Sequence, residues 1–168
     1  MISVEKALKT ILAHFRPLGL EKVHILDACG SVVSESIIAP RNIPSAANSA
    51  MDGYAVQHTD IKNLPVSLKI IEDIPAGKIA RKKINPGEAA RIMTGAVIPK
   101  GADTVIRQED TQKDGQTVMI FTGAKKGDNI RPTGEDVRKG ELVIRKGNVL
   151  RPAHIGMLAA LGKASVSV

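Results

Sequence analysis

The sequence predicts an α+β protein, mainly β. An N-terminal helix and a C-terminal helix and strand form one α+β subdomain, and a β-rich, barrel-like subdomain is inserted between them. Three observations carry this. Apolar residues recur at helical spacing near the start of the 168-residue chain, and Pro152 and Gly162 bracket a helical segment near its end. Between about residues 45 and 134, short apolar and β-branched runs alternate with Pro, Gly, Asn and Asp turns. Hydrophobic residues make up 43% of the chain but aromatic ones only 2%, so the core must be packed from Val, Ile, Leu and Ala. The split subdomain is then 1–44 plus 135–168, and the insert is 45–134.

Residues 3–15 read as an amphipathic helix, because Val4, Leu8, Ile11, Leu12 and Phe15 share one face. Ser3 is placed to cap it, Glu5 suits its first turn, and Pro17 with Gly19 should end it. A short strand near Val23–Leu26, a turn at Asp27–Gly30 and an extended run at Ser31–Ala39 follow, and Pro40 and Pro44 bracket a connector. The insert should hold strands at Tyr54–Val56, Val66–Ile71, Ala89–Met93, Thr104–Arg107 and Thr117–Phe121. Turns at Pro75-Ala76-Gly77, Asn85-Pro86-Gly87, Pro99-Lys100-Gly101 and Lys113-Asp114-Gly115 separate them. The end of the chain predicts a strand at Glu141–Arg145, a helix at Arg151–Leu161 and a strand at Ala164–Val168. Pro152 suits the first turn of that helix and Gly162 its C-terminal stop.

A net charge of +7 favours anionic partners. The basic residues are dispersed, and neither stacking aromatics nor a recognition helix accompanies them, which argues against nucleic acid. With one cysteine, Cys29, no internal disulfide can form, and its neighbours mark it as a small packed residue rather than a nucleophile. No apolar leader and no membrane-length run is present, so a soluble, cytoplasmic protein without a membrane role is expected. The four histidines, His14, His24, His58 and His154, are far apart and do not suggest a metal site.

Phosphate-loop, dinucleotide, zinc-protease and nucleophile-elbow motifs are all absent. What remains is a set of carboxylates in glycine-rich loops: Asp52 in Asp-Gly-Tyr, Asp128 in Gly-Asp-Asn, and Glu135-Asp136 in Gly-Glu-Asp-Val. Such carboxylates suit Mg²⁺, which takes one or two of them together with waters and phosphate oxygens. Thr94 and Gly95, in Met93-Thr94-Gly95-Ala96, could offer a hydroxyl and backbone donors to an oxyanion. Arg131 could bind phosphate or carboxylate in bidentate fashion. Taken singly, an Asp in such a turn more often caps its own backbone.

The order of these pieces adds information. Ala50-Met51-Asp52-Gly53-Tyr54-Ala55-Val56 comes first, then Arg91-Ile92-Met93-Thr94-Gly95-Ala96 running into Pro99-Lys100-Gly101-Ala102-Asp103. Gly127-Asp128-Asn129-Ile130-Arg131 leads into Gly134-Glu135-Asp136-Val137, and Leu150-Arg151-Pro152-Ala153-His154-Ile155-Gly156 through Leu161-Gly162 closes the set. Over essentially its whole length the chain resembles the N-terminal region of the MoeA/gephyrin family, the molybdopterin molybdenumtransferases. The resemblance implies insertion of molybdate into adenylylated molybdopterin with Mg²⁺ as cofactor and release of AMP. It also implies a β insertion within the region and a homodimer whose cleft lies between this region and a later domain of the other subunit. Thr94 and Asp136 inherit catalytic roles from the resemblance, and Glu135 joins Asp136 as a metal ligand. Ser49, Asp52, Gly95 and Arg131 become substrate-binding candidates.

Two departures stand out. Bacterial members of the family commonly carry Phe-Asp before the Asn-Ser-Ala-Met-Asp-Gly-Tyr motif, whereas Ala46 and Ala47 stand there in this chain. The chain also ends at Val168, about where the family's next domain begins, so the 168-residue chain alone is expected to be inactive. The alternative is a non-enzymatic dimerisation or cofactor-delivery module on the same scaffold.

Overall fold

The computed structural model describes residues 2–16 and 18–168, so the expected stop at Pro17 lies outside the described residues. In chain order the elements begin with α1 (Val4–Leu12), β1 (Lys22–His24), β2 (Ile37–Ile38), β3 (Asn48–Ser49) and β4 (Gly53–Val56). They continue with β5 (Val66–Ile74), β6 (Glu88–Ile92), β7 (Thr104–Arg107), β8 (Thr111–Asp114), β9 (Thr117–Ile120) and β10 (Ile130–Arg131). The last are β11 (Leu142–Ile144), α2 (Pro152–Ala160) and β12 (Ser165–Ser167). The described residues are thus mainly β with two α-helices, and the chain divides into two compact units: 1–38 with 142–168, and 39–141. No helix among the described residues is long and apolar enough to cross a membrane.

In the first unit, the Ser3 hydroxyl accepts the Lys6 amide at 3.2 Å and caps α1 as its sequence requires. The α-helix stops at Leu12 rather than Phe15. Beyond it, the amides of His14 and Phe15 reach back three residues, to the carbonyls of Ile11 and Leu12, so the last turn tightens. No residue of α1 is buried, and Leu8, Ile11 and Leu12 are exposed. β1 pairs antiparallel with β12 through Val23 and Val166, and β11 pairs antiparallel with β2. In α2, Pro152 occupies the first turn and the His154 ring accepts the Arg151 amide. Its end is a Schellman motif: the Gly162 amide donates to Ala159 and the Lys163 amide to Leu158, with Gly162 at φ 79°. Ile37, Ile144, Leu150, Leu158 and Val166 are buried in this unit. The small packed residue of the Asp27–Gly30 turn is Ala28, and Cys29 next to it is exposed.

The second unit is built on a six-stranded mixed sheet of order β7-β4-β6-β5-β9-β8. Only β5 and β6 run parallel, and the sheet is open at β7 and β8, a curled half-barrel rather than a closed one. Alternation places the side chains of β4 on both faces. Tyr54 and Val56 join Ile61, Leu68, Ile106, Val118 and Ile120 in one aliphatic cluster, and Ala55 joins Ile74, Ile84, Ile92, Ala96 and Val105 in the other. Every residue of β4 is therefore buried. Gly53 starts this strand between β6 and β7, and a Cβ there would lie 1.9 Å from the Ile106 carbonyl oxygen. The Asp-Gly pair reads as a turn signal in sequence, but its glycine serves a close approach of two backbones.

Candidate functional site

Strand β3 is only two residues long, yet it joins three of the loops that the sequence singles out. On one side the Ser49 carbonyl accepts the Gly95 amide at 2.8 Å and the Ser49 amide donates to Ala96. The Ile98 amide donates to Ala47, which extends this pairing by one step. On the other side β3 pairs antiparallel with β10, Ser49 opposite Ile130 and Asn48 opposite Arg131. The Ala50 amide then donates to Asn129. The loops around Thr94 and Arg131 therefore flank one short strand, all within the second unit.

The Thr94 loop is a β-turn closed by the Ala96 amide on the Met93 carbonyl, with Gly95 at φ 81° in the position that demands a left-handed residue. Asp52 reaches across 42 residues to it. One oxygen, Oδ1, accepts the Thr94 amide at 2.7 Å and the Thr94 hydroxyl at 2.8 Å. The bond from the Thr94 amide, then that from its hydroxyl, hold the Asp52 carboxyl below its ordinary range. The two donors that the sequence offers to an oxyanion are thus engaged by the chain's own carboxylate. Ser49 is buried, and its hydroxyl donates to the Met51 carbonyl, so the side chain shapes the loop beside Asp52.

Arg131 forms the second cluster. Its Nε donates to Glu135 Oε2 at 2.6 Å, and its Nη2 donates to both oxygens of Asp136, at 2.7 and 2.8 Å. Hydrogen bonding to Glu135, then to Asp136, raises the Arg131 pKa above its ordinary value. Backbone bonds fix the carboxylates' loop: the Asp136 and Val137 amides both donate to Ile43, and the Gly134 amide to Pro44. Asp128 is different. Its carboxylate accepts the Lys125 amide at 2.7 Å and caps its own turn.

Two residues that sequence reasoning passed over belong here. Asn129, at φ 58°, turns the chain into β10 and donates its side-chain amide to the Val105 carbonyl at 2.9 Å. Asn48 lies opposite Arg131, and its Oδ1 is buried without a hydrogen-bond partner among the described residues. A non-glycine residue that tolerates left-handed backbone is the signal that could have marked Asn129.

Among the described residues no three His, Cys, Asp or Glu side chains converge as a full metal cage. Glu135 and Asp136 are exposed and offer hard oxygen ligands, a donor set that fits a hydrated Mg²⁺ and no all-protein metal site. The cluster is open surface. A concavity of about 510 Å³ in the same unit is lined instead by Lys69, Lys82, Lys83, Asn85, Glu88 and Gln116.

Comparison with known proteins bears on this arrangement. A family model described as the MoeA N-terminal region (domain I and II) matches residues 2–162. Molybdopterin molybdenumtransferase 2 of Mycobacterium tuberculosis is 38% identical over 172 residues, covering 100% of this chain and 42% of its own. The molybdopterin molybdenumtransferase of Haemophilus influenzae is 38% identical, covering 99% of this chain and 41% of its own, and that of Bacillus subtilis is 37% identical with the same coverage. The crystal structure of the molybdopterin biosynthesis protein MoeA of Pyrococcus horikoshii superposes with a TM-score of 0.92 at 40% identity, over 98% of this chain and 45% of that one. The chain thus spans about two fifths of the length of the curated relatives it matches. With a family model matched over residues 2–162 and a solved MoeA structure that superposes over 98% of it, the chain belongs to the MoeA family, as its N-terminal region.

Proposed function

We propose that this chain is the N-terminal part of a molybdopterin molybdenumtransferase, which inserts molybdate into adenylylated molybdopterin in molybdenum cofactor biosynthesis. The observation that carries this reading is the convergence of the Asp52, Thr94 and Arg131 loops on β3 in a chain of this family. Molybdate and the phosphates of an adenylylated substrate are oxyanions. They are recognised by main-chain amides, hydroxyls and guanidinium groups. Thr94 and Gly95 lie on a turn that presents such groups, Asp52 orients that turn, and Ser49 holds the loop that carries Asp52. Arg131 supplies the guanidinium. Asp136, with Glu135, would hold Mg²⁺, and the ion would supply neutralisation of charge on the transferred oxyanion. Such chemistry depends on orientation and charge, and it needs no nucleophilic Cys or His. On this reading the working form is a homodimer in the cytoplasm, and the 168-residue chain alone is inactive.

Ala47 favours one alternative, a non-enzymatic dimerisation or cofactor-delivery module, because an alanine can neither bind metal nor accept a proton. A chimera decides between them. Residues 1–168 replace the matching part of the M. tuberculosis relative, and AMP release is measured with adenylylated molybdopterin, molybdate and Mg²⁺. The chimera should turn over while the 168-residue chain does not. Thr94→Ala and Asp136→Asn should each lower the rate on the order of 10²-fold. A folded chimera with no turnover would favour the module, and turnover by the short chain would refute its inactivity.

A further inference from the structure

The donors of Thr94 and part of the Arg131 guanidinium are already engaged by carboxylates of the same chain. Thr94 gives both its amide and its hydroxyl to Asp52, and Arg131 gives Nε to Glu135 and Nη2 to Asp136. We propose that the site is self-masked, and that a divalent cation and an oxyanion open it together by exchanging partners with Arg131. The cation takes the Glu135 and Asp136 carboxylates, and the released guanidinium takes the oxyanion. This deepens the reading given above and rests on it.

Charge explains why neither ligand opens the site well alone. One guanidinium and two carboxylates leave the Arg131 cluster with a net charge of about −1, which repels an oxyanion. An oxyanion that displaced Glu135 and Asp136 from Arg131 would leave two carboxylates unpaired beside it. A cation arriving alone must compete with a guanidinium at hydrogen-bonding distance. When both arrive, each carboxylate, the guanidinium and both ligands end with an opposite charge as neighbour. Each ligand therefore strengthens the other, by the same factor.

The structure permits the exchange without backbone movement. The side chains of Arg131, Glu135 and Asp136 are 41%, 42% and 50% exposed, so a rotamer change suffices to separate them. Their main chains are held by the pairing of Arg131 with Asn48 and by the Asp136 amide on Ile43. Thr94 repeats the pattern one strand away. On the other side of β3 from Arg131, Asp52 accepts both the Thr94 amide and the Thr94 hydroxyl.

The test is a pair of titrations on the isotope-labelled 168-residue chain, with NMR signals of the Arg131 Nε–H and the Thr94 amide as reporters. Sodium molybdate is titrated with and without saturating MgCl₂, and MgCl₂ with and without molybdate, with NaCl at matched ionic strength as control. We expect each Kd to fall about tenfold in the presence of the other ligand. The Arg131 Nε–H signal should leave its Glu135-bonded position fully only when both are present. Arg131→Gln should bind Mg²⁺ several-fold more tightly, because the competing cation is gone, and should lose the coupling. Arg131→Lys, which keeps the charge, should retain part of it and guards against a variant that misfolds. Binding of both ligands at residues 48–52, 94–96 and 131–136 with no coupling overturns the exchange and leaves the site reading standing. Weaker Mg²⁺ binding by a folded Arg131→Gln chain overturns it too, because it marks the cluster as a structural tie. Absence of any shift at those residues removes the site reading, and the exchange with it.

Discussion

Asp52 shows what a single residue conveys before and after folding. Its local setting, an Asp before a Gly, fits a residue that caps its own turn, as Asp128 does. Its actual partner is Thr94, which only the assembled sheet brings near, and no local pattern contains that information. The bond has a pH signature. The Asp52 pKa is lowered in the folded chain, chiefly by the Thr94 amide, so the unfolded chain binds the proton more tightly. Its contribution to stability is then fully present above the ordinary carboxylate range and is lost as pH falls through the lowered folded value. The Thr94 amide proton signal should follow that titration, with a midpoint below an ordinary Asp. In Asp52→Asn the acid-side step should vanish from that signal. A Thr94 amide signal that titrates at the ordinary carboxylate value would show that the bond does not form in solution.

Elements marked by an apolar run between turn signals, or by Pro and Gly at their ends, were legible to within a few residues, among them β4, β6, β7, β9 and α2. The strands that escaped were β3, β8 and β10. Two-residue strands carry no period, and β8 reads Thr-Gln-Lys-Asp, an edge whose conformation comes from its partner β9 rather than from burial. Gly53 and Gly95 separate two reasons for glycine, and a pair of variants can tell them apart. In Gly53→Ala the new methyl meets a backbone carbonyl held in place by two strands, which no rotamer change relieves. That substitution should cost more than about 4 kcal/mol or abolish folding. In Gly95→Ala the space is open and only the positive φ resists, which costs about 1–2 kcal/mol. Urea denaturation of the two variants should show this order. Equal losses would mean that β4 and β7 are not packed as closely as the structure has them.

Over the whole molecule, the ordered motifs were the most legible feature: those carrying Asp52, Thr94 and Arg131 lie on loops that the fold gathers at β3, the last forms α2 in the first unit, and their order along the chain survives without any knowledge of contacts. The α1 stripe was legible too, as a pattern, but a pattern does not say what covers it, and in this chain its apolar residues face outward. The two units differ in what holds them. The second has a six-stranded sheet with an aliphatic cluster on each face, whereas the first has two-stranded pairings and a helix with no buried residue. Small cores with little buried area are marginal, so the first unit should open at lower free energy than the second. Amides of β1 and β12 should therefore exchange with solvent faster than those of β4 and β6. Leu158→Ala removes a fully buried side chain from the first unit, a loss of about 2–5 kcal/mol. Hydrogen exchange should then accelerate in β1, β2, β11 and β12 and stay nearly unchanged in β4 to β7. Equal acceleration in every strand would mean that the chain opens as one cooperative body, whatever its two-unit division.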